Sequence, residues 1–147
     1  MREKGPPSTV KDVMTKPIIT VDLEGSVREA AEIMSSNRIG CIVITKKGKH
    51  VGIATERDLV QRVLAKGLDA SKTRIKEIMS QPLITLEADT PIIDAIRMMD
   101  KKKIRRLLAV KKGMAIGIIT QRDLLRALTF HVLISFRPLL QPKREQK

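Results

Sequence analysis

Two heptapeptides carry the side chains best placed to do chemistry. They are Gly-Ile-Ala-Thr-Glu-Arg-Asp at 52–58 and Gly-Ile-Ile-Thr-Gln-Arg-Asp at 117–123. In each, a hydroxyl and a carboxylate stand three residues apart, Thr55 with Asp58 and Thr120 with Asp123. That spacing admits two roles. As a capping box with Asp in place of Glu, the pair satisfies the free N–H groups at a helix start. As a ligand corner, the same helix start attracts an anion, the hydroxyl meets phosphate or ribose oxygens, and the carboxylate accepts from a ribose diol. Both roles can hold together. Gly52 and Gly117, three residues before the threonines, permit close backbone approach.

A second constellation is Lys101-Lys102-Lys103-Ile104-Arg105-Arg106. It reads either as a solvated basic turn or as a phosphate contact, because the planar guanidinium offers a fork of donors matched to phosphate oxygens. Catalytic groupings are harder to find. His50 and His131 have no second His or Cys at catalytic or metal-ligand spacing, so an enzyme is not expected and no cofactor is required.

The elements that must position these residues occur twice. Shifted by 65 residues, the sequence overlays itself without a gap, with roughly a third of aligned positions identical. Val10–Asp22 matches Ile75–Glu87, and Lys46–Leu59 matches Lys111–Leu124. Each copy opens on an extended stretch, Ile18-Ile19-Thr20-Val21 or Leu83-Ile84-Thr85-Leu86, behind Pro17 or Pro82. An amphipathic helix follows, marked by Val27, Ala30, Ala31 and Met34, or by Ile92, Ala95, Ile96 and Met99, with Pro91 in its first turn. The apolar runs Cys41–Ile44 and Leu107–Val110 read as buried strands, with Cys41 a core thiol in a reducing cytosol. A Lys-Lys-Gly turn leads to a second strand, Val51–Ala54 or Ile116–Ile119. A closing helix has Leu59, Val60 and Val63, or Leu124, Leu125 and Leu128, on one face.

The order is therefore β-α-β-β-α, twice, an α+β or α/β arrangement. One copy alone, at about fifty residues, would leave an apolar face uncovered, which favours a single two-repeat module. The expected division is an arm over 1–9, repeats over 10–64 and 75–129, a linker over 65–74 and a tail over 130–147.

Composition narrows the function classes. The 147 residues carry a formal charge of +13, unevenly: 13 basic and 9 acidic side chains in 1–73 against 16 and 7 in 74–147. A basic excess suits anionic partners or plain solubility. Phe130 and Phe136 are the only aromatics, so a stacking platform for single strands is missing. Nucleic acid remains the lesser alternative, with no helix-turn-helix or zinc signature behind it. The opening MREKGPPST lacks the apolar core of a signal peptide, and Leu124–Leu140 is too short and interrupted to span a bilayer. A cytoplasmic protein without a membrane partner is the expectation.

The two leaders, Val10-Lys-Asp-Val-Met-Thr-Lys-Pro17 and Ile75-Lys-Glu-Ile-Met-Ser-Gln-Pro82, and the two closing motifs resemble the CBS (cystathionine-β-synthase) domain family over residues 10–130. The resemblance implies a pair of repeats in pseudo-twofold symmetry, with clefts that take AMP, ADP, ATP or S-adenosylmethionine and signal to another protein. By that resemblance one site uses Thr120, Asp123 and Arg122 with Thr15, Lys16, Pro17, Ile18, Gly40 and Cys41, and Arg106 contacts phosphate. A second uses Thr55 and Asp58 with Ser80, Gln81, Pro82, Leu83 and Arg105. Gly40 and Cys41 replace the basic pair Arg105-Arg106 in the first copy, and Ile93 stands where the first copy has Arg28. The sites are therefore expected to be unequal, with the Thr120–Asp123 site the stronger. A homodimer is also implied. A stripe of Leu128, Val132, Phe136 and Leu140 is available to pack on the module or on a second copy, and Pro142–Lys147 reads as a frayed basic end.

Overall fold

The structure, a computed structural model, describes residues 5–140, with side chains to Phe136. Leu140 as a packing residue and the basic end from Pro142 lie outside the described side chains. The chain divides into two compact units whose limits cut across the repeats. One is residues 16–84; the other joins the described residues up to 15 to those from 85 onward.

In the unit of residues 16–84, β1 (Thr20–Asp22) runs parallel to β2 (Cys41–Lys46), which pairs antiparallel with β3 (Lys49–Thr55). The crossover between β1 and β2 is α2 (Val27–Asn37). Ser26 starts it by accepting the Glu29 N–H on its hydroxyl at 3.0 Å, and Arg38 ends it in the left-handed conformation at φ 53°. The periodic face buries Val27, Ala30 and Met34 against Ile42, Ile44 and Ala54. The β2–β3 hairpin turns on Lys47 and Gly48, both with positive φ, the geometry whose twist matches that of the strands.

The second unit repeats this plan. β4 (Thr85–Glu87) is parallel to β5 (Arg106–Lys111), which is antiparallel to β6 (Met114–Thr120), with α4 (Ile92–Lys102) as the crossover. Ile92, Ala95 and Met99 are buried on α4, as are Leu107, Leu108, Ala109 and Ile119 on the sheet. The long helix α5 (Gln121–Leu140) closes it.

The β-α-β-β order holds in both copies, with local corrections. The ladders begin at Thr20 and Thr85, two residues after the apolar pairs Ile18-Ile19 and Leu83-Ile84. Pro91 precedes α4 as its N-cap rather than standing in its first turn. Cys41 is only partly buried, because it opens β2 at the strand's end. Among the described residues of the closing helices, Val63, Leu124 and Ala127 are buried. Val60, Leu125 and Leu128 are exposed, so each helix buries a narrower stripe than its sequence suggested. In the first copy the reason is visible. After α3 (Glu56–Leu59) the chain widens into a π-helical turn over Val60–Leu64, closed by Ala65 N–H on the Val60 carbonyl at 2.8 Å.

The leaders explain why the units cut across the repeats. The second leader, entered through a 3₁₀ turn (Ile75–Glu77), stays in the unit of the first sheet, where Ser80 and Ile53 exchange backbone hydrogen bonds at 2.8 and 3.1 Å. The first leader, α1 (Val10–Val13) with Thr15, belongs with the second sheet. Val10 and Lys11 N–H donate to the Thr90 and Ala88 carbonyls, and Thr15 and Ile118 exchange bonds at 2.8 and 3.0 Å. The expected linker is ordered by Val27 N–H on the Thr73 carbonyl and Arg28 N–H on that of Ala70.

This close pairing demands glycine. A Cβ at Gly117 would stand 2.6 Å from Met14 Sδ and 3.1 Å from the Thr15 carbonyl oxygen. The thioether can swing aside; the carbonyl belongs to the leader backbone. Gly117→Ala is expected to cost about 1–3 kcal/mol, read as a lower urea midpoint at unchanged slope.

The start of the first leader is pH-sensitive. The Asp12 carboxylate accepts from Thr9 N–H at 2.9 Å and Ser8 N–H at 3.0 Å, which holds its pKa below the ordinary 3.8. A depressed carboxyl contributes stability above its unfolded pKa and loses it as pH falls through the folded one. The stability difference between wild type and Asp12→Asn, from urea unfolding at pH 7 and pH 3, is expected to narrow at the acid end. Lys11 pairs with Asp89 beside it.

Candidate functional site

Each unit builds the same corner where its last strand meets its last helix. At the end of β6, Thr120 N–H and hydroxyl both donate to Asp123 Oδ2, at 2.8 and 2.7 Å, and Asp123 N–H donates back to the Thr120 hydroxyl at 3.3 Å. At the end of β3 the same three bonds join Thr55 and Asp58, at 2.9, 3.0 and 3.2 Å. The capping role is therefore formed in both copies. It uses one carboxylate oxygen of each aspartate and leaves the other, Oδ1, for a further partner.

That second oxygen separates the copies. Asp123 Oδ1 has no hydrogen bond or ion pair among the described residues. Asp58 Oδ1 lies 3.5 Å from Nη2 of Arg62, an arginine the motif reading did not single out. The signal was present in the repeat, since Ala127 occupies the matching position.

The residue across the hairpin differs too. The β5–β6 register sets Arg106 opposite Thr120; the β2–β3 register sets Cys41 opposite Thr55. Arg106 Nε is buried and has no hydrogen-bond partner, alone in this among the described residues. An unsatisfied buried N–H carries a desolvation cost of about 1–3 kcal/mol, more when charged, so an incoming acceptor would meet a donor already stripped of water.

The remaining predicted residues distribute as follows. Thr15, Arg105 and Arg122 belong to the unit that holds Thr120, Asp123 and Arg106. Arg122 and Arg105 are exposed, and the Arg105 carbonyl accepts from Gln121 N–H at 2.9 Å. Lys16, Pro17, Ile18, Gly40 and Cys41 lie in the other unit, as do Thr55, Asp58, Ser80, Gln81, Pro82 and Leu83. There the Gly40 carbonyl accepts from Glu56 N–H at 3.1 Å, the counterpart of the Arg105 contact. The Lys16–Pro17 and Gln81–Pro82 peptide bonds are cis.

A cavity of about 520 Å³ opens between α4 and α5. Ile96, Met99, Ile104, Leu124, Leu125 and Leu128 line it with Asp100, Lys103, Arg105 and Gln121, whereas Thr120, Asp123 and Arg106 do not. Its walls mix apolar helix faces with the charged Asp100, Lys103 and Arg105, and it is separate from the Thr120–Asp123 corner. Among the described residues no group of three or more His, Cys, Asp or Glu side chains is placed to hold a metal, and no helix is long and apolar enough to cross a membrane.

Comparison with known proteins decides the family: the CBS domain matches residues 10–65 and again 75–129. The chain belongs to the CBS-domain family. This CBS pair is 34% identical over 117 residues to the CBS domain-containing protein YhcV of Bacillus subtilis, covering 80% of this chain and 83% of that one. It is 38% identical over 120 residues to the uncharacterized protein MK0525 of Methanopyrus kandleri, covering 80% of this chain but only 61% of that protein's length. Among solved structures, the CBS domain pair of protein MJ0100, in complex with 5′-methylthioadenosine and S-adenosyl-L-methionine, superposes with a TM-score of 0.74 at 33% identity. That match covers 84% of this chain and 97% of that one. The mixed α+β architecture with two three-stranded sheets is thus that of a regulatory CBS pair.

Proposed function

We propose that this CBS pair senses an adenosine-containing ligand, AMP, ADP, ATP or S-adenosylmethionine, at the Thr120–Asp123 corner and passes the occupancy to a partner protein. The observation that carries this reading is the buried, unpartnered Nε of Arg106 beside Thr120. In this reading the Asp123 carboxylate, with Oδ1 open, accepts from the ribose hydroxyls. Thr120 and the first turn of α5 meet the phosphate, Arg106 completes its charge-assisted contacts, and Thr15 and Arg122 border the corner. The ligands held by the MJ0100 pair support the adenosine choice. A ligand that favours one packing of the module shifts its population, which is all that signalling to a partner requires.

Isothermal titration of the pure chain tests this reading. Micromolar binding of at least one of the four ligands is expected; no heat with any of them, nor with 5′-methylthioadenosine, sinks it.

A homodimer fits the same module. Beyond the exposed Leu125 and Leu128, α5 presents Phe130, Val132, Leu133, Ile134 and Phe136, each about half exposed. Between the polar Thr129, His131 and Ser135, so many half-exposed apolar side chains on one helix favour a cover, and they leave uncovered roughly the several hundred Å² per partner that a stable interface buries. Light scattering that returns the monomer mass would remove the dimer.

A further inference from the structure

Among the differences between the two corners is a side chain that reaches across three groups. In the unit of residues 16–84, Arg62 lies in the widened π turn, four residues after Asp58. Its Nη2 stands 3.5 Å from Asp58 Oδ1. Its Nη1 donates to the Ile78 carbonyl at 2.6 Å and to the Ser80 hydroxyl at 3.3 Å. One guanidinium thus ties the corner carboxylate to the carbonyl and hydroxyl of the leader beside it. The Asp58 side chain is only 14% exposed, so little of that carboxylate is left for anything else.

Moved by the repeat distance, these positions become Asp123, Val13, Thr15 and Ala127. The Ala127 methyl is buried and cannot bridge, and Asp123 Oδ1 keeps no ion pair among the described residues. The helix course follows the same division, since α5 runs regularly through 121–140 where the first copy widens after Leu59.

We infer that Arg62 is a resident cation that closes the first copy's corner, so that the chain takes one adenosine ligand rather than two. This rests on the proposed function for what the open corner binds. A ribose diol needs a carboxylate oxygen free to accept. At Asp58 it would have to displace a guanidinium that also holds two leader oxygens, and that guanidinium would be left with fewer acceptors. Arg62 is half exposed, so the ion pair alone contributes little. Closure comes from occupancy: the guanidinium fills the place that a ligand hydroxyl would use.

Replacing Arg62 by the residue found at its repeat position tests this on the full chain. Titration with AMP and with S-adenosylmethionine is expected to give one site per chain for wild type and two for Arg62→Ala. Arg62→Met, which keeps the aliphatic stem, should give the same count should the alanine variant unfold. Amide exchange of residues 78–80 should quicken in either variant, reporting release of the leader. Two sites in wild type, or one in both proteins, overturns the closure and leaves the proposed function standing. No site in wild type but one in the variant upholds the closure and removes the proposed function from the Thr120–Asp123 corner. No site in either overturns both.

Discussion

Arg106→Met is expected to weaken AMP binding about ten- to a hundredfold while leaving the empty protein as stable as wild type or more so, because a charged hydrogen bond contributes about 1.5–3 kcal/mol. The two halves of this expectation have opposite signs for one reason. In the empty chain Arg106 Nε is buried without an acceptor, and methionine fills a comparable volume without an N–H to desolvate. In the proposed occupied state the same N–H would meet a phosphate oxygen, and that contact would disappear with the substitution. Affinity for 5′-methylthioadenosine, which has no phosphate, should change by less than about threefold under this charge-specific argument. Titration with both ligands, beside urea unfolding of the empty protein, separates the cases. An equal loss for both ligands, or a destabilised empty protein, would show that Arg106 holds the fold rather than the phosphate.

The companion expectation concerns Asp123→Asn, which should reduce affinity for every adenosine-containing ligand at least about tenfold with the melting temperature nearly unchanged. The asparagine side-chain oxygen can still accept the Thr120 N–H that Asp123 Oδ2 accepts at 2.8 Å, so the helix start keeps its cap. With that oxygen on the cap, an NH2 takes the place of Asp123 Oδ1, and its N–H donors oppose the hydroxyl hydrogens of a ribose diol. Asp123→Ala mixes the two roles and is expected to add about 1 kcal/mol of lost capping. Should Asp123→Asn bind as wild type does, the corner is a helix cap and nothing more, and the second reading of its Thr–Asp spacing is retired.

Features set by neighbours in the chain were legible from the residues. The Thr–Asp boxes close over three positions, the Lys47–Gly48 turn over two, and the buried faces of α2 and α4 follow helical spacing. The 65-residue repeat made each of these readable twice. Which sheet takes which leader was implied by the family resemblance, but the residues themselves did not dictate it; the tertiary structure supplies the contacts, Thr15 with Ile118 and Ser80 with Ile53. The leader sequences are nearly interchangeable, and backbone hydrogen bonds carry no residue code to choose between sheets. Arg62 against Ala127 was visible as a difference, but its reach to the Ile78 carbonyl depends on where the second leader lies. The isolation of Arg106 Nε is likewise a property of everything packed around it. Spacing along the chain specifies what a residue can offer its near neighbours; whether a distant group arrives to accept it depends on how the chain folds back.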